Sequence, residues 1–236
     1  MTTNAADPPL VLRRSAGDRY GIAIMAALVL GAFAALAAAT TMTSPRLPGF
    51  GVFLGLMALL LGAVAALVVR EAMLRWRTRI VLRDDAVALS LPGLRGYVRA
   101  APVERELPYA AIAAVETRLE AFRALGNTVA QRAYSLVLAD GSRVGLGADR
   151  RMAAPFFAMA AEAIAARAGV PIRDLGAVDG RAGVSMLWGQ TVPGWDAPPL
   201  SPGAAGRRVG QERRAWQLLW LVLLAAALAV ALSTVL

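Results

Sequence analysis

Residues 68–91 read VVREAMLRWRTRIVLRDDAVALSL. The stretch leaves a long apolar run at Val69, passes Arg70, Glu71, Arg75 and Arg77, and then changes period. From Arg79 to Arg83, Ile80 and Leu82 share one face while Arg79 and Arg83 take the other, and after Asp84-Asp85 the residues Val87, Leu89 and Leu91 alternate in the same way. Alternation with a period of two is the mark of half-buried strands, so a hairpin with an Asp-Asp turn is expected, ended by Pro92-Gly93. An apolar helix that runs directly into a hairpin points to a membrane protein of the α+β class.

The composition agrees. Of 236 residues, 58% are hydrophobic, more than a soluble domain of this length ordinarily carries. Three uncharged runs, 20–42, 50–69 and 215–236, are each roughly 20 residues long, enough to cross a hydrocarbon core of about 30 Å. The expected organisation is therefore an N-terminal tail over 1–19, a transmembrane helical hairpin over 20–69 and a soluble domain over 70–175. A Pro/Gly-rich linker over 176–214 and a third transmembrane helix over 215–236 complete it.

The chain has no cysteine and no histidine, and all 25 basic residues are arginine. Thiolate metal sites, disulfides, iron-sulfur clusters and lysine Schiff bases are thereby excluded, as is a histidine acid or base. The missing lysine also fits a GC-rich genome. None of the apolar runs holds an ionisable residue, so the spans are expected to be anchors, with no proton relay or ion path.

The arginines fix the orientation. Arg13, Arg14 and Arg19 precede the first span, Arg70 through Arg83 follow the second and Arg207 through Arg214 precede the third, whereas the opposite side holds only Arg46. Basic flanks stay inside, so the tail and domain are expected in the cytoplasm of a multi-pass inner-membrane protein. A cleaved signal peptide competes as a reading of the first span, because Ala37, Ala38 and Ala39 could serve as its processing site.

Further strands are expected over 103–107, 112–119, 133–138 and 143–146, the last two joined by Ala139-Asp140-Gly141-Ser142. An amphipathic helix follows, with Asp149 as a cap, Pro155 in its first turn, an apolar stripe of Phe156, Phe157, Ala160, Ile164 and Ala168, and a stop at Gly169 and Pro171.

The hairpin over 79–91, the phrase Leu107-Pro108-Tyr109-x-x-Ile112-x-x-Val115, the strand Tyr134 to Leu138 with its Asp140-Gly141 turn, and the helix after it resemble the bacterial pleckstrin-homology-like domains of small membrane proteins. Those proteins typically carry a helical hairpin before the domain. The resemblance covers about residues 70–175 and implies a cytoplasmic antiparallel β domain closed by a C-terminal α-helix. It implies a binding or scaffolding module and no particular ligand; the uncharged spans and the absence of histidine, cysteine and lysine add the expectation of no enzymatic activity and no cofactor, with another membrane protein as the expected partner. The third span after a long linker departs from the family pattern.

Two sets of residues are candidates for binding. Arg75, Arg77, Arg79 and Arg83 lie just past the second span, where each basic group near an anionic leaflet contributes roughly 1 kcal/mol, so membrane lipids are a candidate ligand. The same arginines also serve topology. Trp188 and Trp195 stand in the linker and are candidates for partner binding, with packing back onto the domain as the competing reading. Nucleic acid is not expected despite a net charge of +9, because the basic residues track the membrane flanks without a stacking motif. Asp84-Asp85 is explained by its turn. Glu104 and Glu106 share a strand face without a histidine or metal cluster, and Gly145-x-Gly147 lacks a phosphate-loop context. No catalytic or metal-binding residue is expected, and the oligomeric state is left open.

Overall fold

The computed structural model describes residues 9–43, 48–95, 98–99, 101–124, 127–150, 155–179 and 194–211. The expected third span over 215–236 lies outside them, as does Trp188. The chain is α+β, with two long apolar helices at its N-terminal end and a β-rich region built on them.

Helix α1 (Ala16–Thr43) and helix α2 (Pro48–Arg77) pack side by side. Within them Ala16–Met42 and Gly51–Arg77 are long and apolar enough to cross a membrane, and only 6% and 11% of their most apolar windows are buried. A core helix of a soluble protein would bury far more, so these apolar faces suit a lipid solvent. Ser15 starts α1 by accepting the backbone N–H of Asp18 on its hydroxyl at 3.1 Å.

The first sheet has the order β1-β2-β3-β6, formed by Leu10–Arg13, Arg79–Leu82, Ala86–Leu91 and Val103–Pro108. All its pairings are antiparallel. The β2–β3 hairpin is the one the alternation predicts, with Leu82 opposite Val87 and Ile80 opposite Leu89. A short β4–β5 ladder (Leu94–Arg95 with Val98–Arg99) precedes β6. Strand β1 lies within the tail expected over 1–19 and pairs residue by residue with β2. A four-residue strand has too few positions to show a period, and its partner is distant in sequence.

The second sheet has the order β10-β7-β8-β9, from Ile172–Asp179, Ile112–Ala124, Asn127–Leu138 and Arg143–Arg150. A 3-10 turn over Tyr109–Ala111 joins β6 to β7. In the phrase around it Leu107, Tyr109, Ile112 and Val115 are all buried. Strands β7 and β8 run well beyond the expected 112–119 and 133–138 and remain paired to Ala124 opposite Asn127.

Helix α3 (Phe156–Ala168) packs on β7, β8 and β9. It does not end the domain. Strand β10 follows it and lies parallel to β7, so the expectation of an all-antiparallel domain closed by a final helix is corrected: α3 is the crossover that a parallel pair requires. The strand also passes the expected domain end at 175, and 202–211 within the supposed linker is helical.

Between the sheets and α3 lies one core, including Ile80, Leu82, Leu107, Leu136, Phe157 and Ile164, each fully buried. Such side chains contribute about 1.5–3 kcal/mol apiece. Gly147 holds a positive φ of +146°, and a Cβ there would overlap the Phe157 ring, so the aromatic ring seats directly on β9 backbone. The N-cap position is Pro155, ahead of the first turn where the sequence suggests it, and Asp149 caps the helix from strand β9, its carboxylate accepting the N–H groups of Phe157 at 3.1 Å and Ala158 at 2.8 Å. Burial holds its carboxyl above the usual aspartate range, against the pull of those two N–H groups and of Arg14.

Candidate functional site

Strand β1 enters α1 after two residues, and α2 enters β2 after Thr78 alone. Because β1 and β2 are neighbours, both helix ends are tied into one sheet. An ion cluster braces this junction. Asp18 of α1 accepts from Arg14 at 3.3 Å and from Arg75 of α2, and Arg75 also donates to Glu71 at 2.9 Å. Arg14 is buried, and its guanidinium carbon lies 5.3 Å and 5.1 Å from the ring centres of Phe156 and Phe157. The base of the hairpin thus rests on α3 through a cation–π contact.

The four candidate arginines separate into two kinds. Arg75 is committed to the ion cluster. Arg83 pairs with Glu106 at 3.0 Å on the exposed face of the first sheet, while its carbonyl accepts from Arg167 and Tyr109. Arg77 and Arg79 are exposed, with no carboxylate partner among the described residues. Sequence reasoning missed their neighbour. Arg13 stands directly opposite Arg79 in the β1–β2 register and is likewise exposed. Paired positions on antiparallel strands share a face, so two like charges are adjacent there, an arrangement that is destabilising without a counter-charge. The only signal for it was Arg13 itself, which already had a use in setting topology.

Trp195 packs on the second sheet, whereas the junction arginines belong to α2 and the first sheet. It is half-buried against Ala133 and Ala148 on the face of the second sheet opposite α3. A strap over 194–200 lies across that face. Arg118, 1% exposed, donates to the carbonyl oxygens of Gly194, Trp195 and Ala197, the second at 2.7 Å. Arg143 links Glu116 and Asp196, each at 2.8 Å, and the Leu200 N–H bonds the Ala177 carbonyl at 2.7 Å. The alternation Glu116-x-Arg118-x-Glu120 suggests a solvated face, yet all three side chains are buried. Burial raises the Glu120 carboxyl above the usual glutamate range, partly offset by the Gln131 amide donating to it at 3.0 Å.

Glu104 and Glu106 are exposed, as a solvated strand face requires. Among the described residues no group of three carboxylate, histidine or cysteine side chains is placed to hold a metal ion. No protein-family model, no curated protein and no solved structure matches the chain.

Proposed function

We propose that the chain is a non-enzymatic inner-membrane protein whose pleckstrin-homology-like domain is held at the cytoplasmic leaflet to engage another membrane protein or organise an assembly. The observation that supports this reading most is the linker-free junction. With β1 and β2 fused to the two helix ends, the domain is presented in one orientation instead of on a tether. A fixed orientation reduces the entropy lost on docking to a partner embedded in the same bilayer. Met159 of α3, 59% exposed, and Ile172 at the start of β10, 43% exposed, are apolar contacts open to such a partner. Trp195 is less suited to that role, because its ring already has a seat on the sheet.

The test is photo-crosslinking in native membranes from residue 159 or 172. Adducts to a membrane protein should form, and Met159→Asp should abolish them while leaving circular dichroism unchanged. Absence of adducts at both positions would defeat the reading. Orientation is checked separately. The chain has no cysteine, so one introduced at Ser201 should be labelled only from the cytoplasmic side and one at Thr41 only from the opposite side.

A second reading, an anionic-lipid sensor, is favoured by the exposed like-charge pair of Arg13 and Arg79 at the membrane end of the first sheet. It predicts that full-length protein interacts more strongly with bilayers as their anionic fraction rises, and that high salt weakens the effect.

A further inference from the structure

Between α1 and α2 runs an apolar groove of about 450 Å³ on the half of the hairpin nearest the domain. Alanines make it. Ala26 and Ala27 of α1 and Ala72 of α2 carry nothing beyond Cβ, so the two helices leave a trough with Met73 along one wall. At the domain end the trough closes on Trp76 and Arg77. Trp76 is held there from two sides, with the Arg19 guanidinium 5.1 Å from its ring centre and the Tyr20 ring edge-on at 5.7 Å. Aromatic and cationic side chains in this position are those that occupy the headgroup layer of a bilayer.

The charge above the trough is not neutralised within the protein. Asp18 and Glu71, the acids of the helix bases, are already bonded to Arg14 and Arg75. Arg13, Arg77 and Arg79 remain exposed with no carboxylate partner among the described residues, and Arg13 and Arg79 face each other across the β1–β2 ladder. Two guanidiniums side by side repel unless an anion lies between them, and a phosphate offers oxygens to both forks. A soluble anion would satisfy the arginines and leave the trough unexplained. An amphiphile accounts for both.

We propose that the junction of hairpin and first sheet is a binding site for one anionic phospholipid, its phosphate held by Arg13, Arg77 and Arg79 and one acyl chain lying in the trough over Ala26 and Ala72. This deepens the lipid reading above and rests on the hairpin being membrane-embedded. It adds that the protein recognises head and tail together at a single site, which a diffuse basic surface does not do.

The test uses full-length protein, delipidated in a neutral maltoside detergent and titrated with dioleoyl-phosphatidylglycerol or dioleoyl-phosphatidylcholine, with bound lipid read by native mass spectrometry. One phosphatidylglycerol should remain bound where phosphatidylcholine does not. Arg13→Gln and Arg79→Gln, at exposed positions that spare the core, should each weaken its retention about five-fold. Ala72→Leu should weaken it by filling the trough while all the arginines remain. Equal retention of both lipids would overturn the proposal, as would phosphatidylglycerol binding indifferent to Ala72→Leu. Full displacement by millimolar inorganic phosphate would also overturn it, because it would reveal an anion site without a chain. Carbonate washing of membranes separates the two levels of failure. Protein released by carbonate defeats the membrane reading itself, whereas protein that stays embedded but shows no lipid preference defeats this site alone.

Discussion

The guanidinium of Arg118, in the middle of β7, donates to the carbonyl oxygen of Trp195 at 2.7 Å, across 77 residues of chain. With the carbonyls of Gly194 and Ala197 it also holds, this buried arginine fixes the strap to the second sheet. Hydrogen bonds to a charged donor contribute about 1.5–3 kcal/mol each, and a carbonyl left buried without its donor costs more than the bond alone suggests. Arg118→Met should therefore release the strap. The expected result is a loss of roughly 3 kcal/mol in stability, scaled from those bond energies, and faster tryptic cleavage at Arg207 and Arg208. An unchanged cleavage rate would show that the strap is held by other contacts.

Gly147 and Gly141 make a matched pair. Both have positive φ, but an added Cβ overlaps the Phe157 ring at Gly147 and meets nothing within 4 Å at Gly141. Gly147→Ala combines backbone strain with overpacking, the overpacking alone costing about 1–3 kcal/mol, and should destabilise more than Gly141→Ala, which meets backbone strain only. Thermal melts of the two variants in the same detergent give the comparison. Equal melting temperatures would mean that Phe157 can move aside.

Removing the Asp149 carboxylate strips two N–H groups at the start of α3 of their acceptor. Asp149→Ala should cost about 0.5–2 kcal/mol, the usual range for a lost helix cap. Hydrogen exchange should show the loss first at Phe157 and Ala158. Uniform loss of protection across α3 would instead indicate that the whole helix has undocked.

Glu120 carries the pH dependence. Burial raises its carboxyl in the folded state, so between the ordinary glutamate range and that raised value the native protein binds more protons than the unfolded chain. Stability then falls as pH rises through this window, and the contribution is fully present only below it. Glu120→Gln, which can still accept from Gln131, should flatten this part of the stability–pH curve and stabilise the protein at neutral pH. Chemical denaturation of both proteins from acid to neutral pH is the measurement, and parallel curves would contradict the assignment.

The parts of the fold written in local pattern were readable. The two apolar helices, the hairpin over 79–91 and the Asp140-Gly141 turn depend on neighbours close in sequence. What escaped depends on partners far along the chain. Strand β1 has four residues and exists by pairing with β2. In β10, Gly176 breaks the alternation where the register shifts between Asp174 and Ala177. The outer face of β7 and β8 is rich in Glu116, Arg118, Gln131 and Ser135, a pattern that signals solvent, yet these side chains are buried. Of the candidate site, Arg77 and Arg79 were legible from their position after the span, whereas Arg13 became their neighbour only through the β1–β2 register. Trp195 was visible as an aromatic needing cover, but its seat on Ala133 and Ala148 follows from the strap.

The placement of β1 also imposes an order on biogenesis. Its partner β2 is synthesised only after both apolar helices, so the first sheet is completed only once α1 and α2 have brought β1 and β2 side by side. A molecule whose two helices fail to pack side by side would leave β2 with one edge unpaired, an invitation to aggregation or proteolysis. Completion of this small sheet thus reports that both helices have come together.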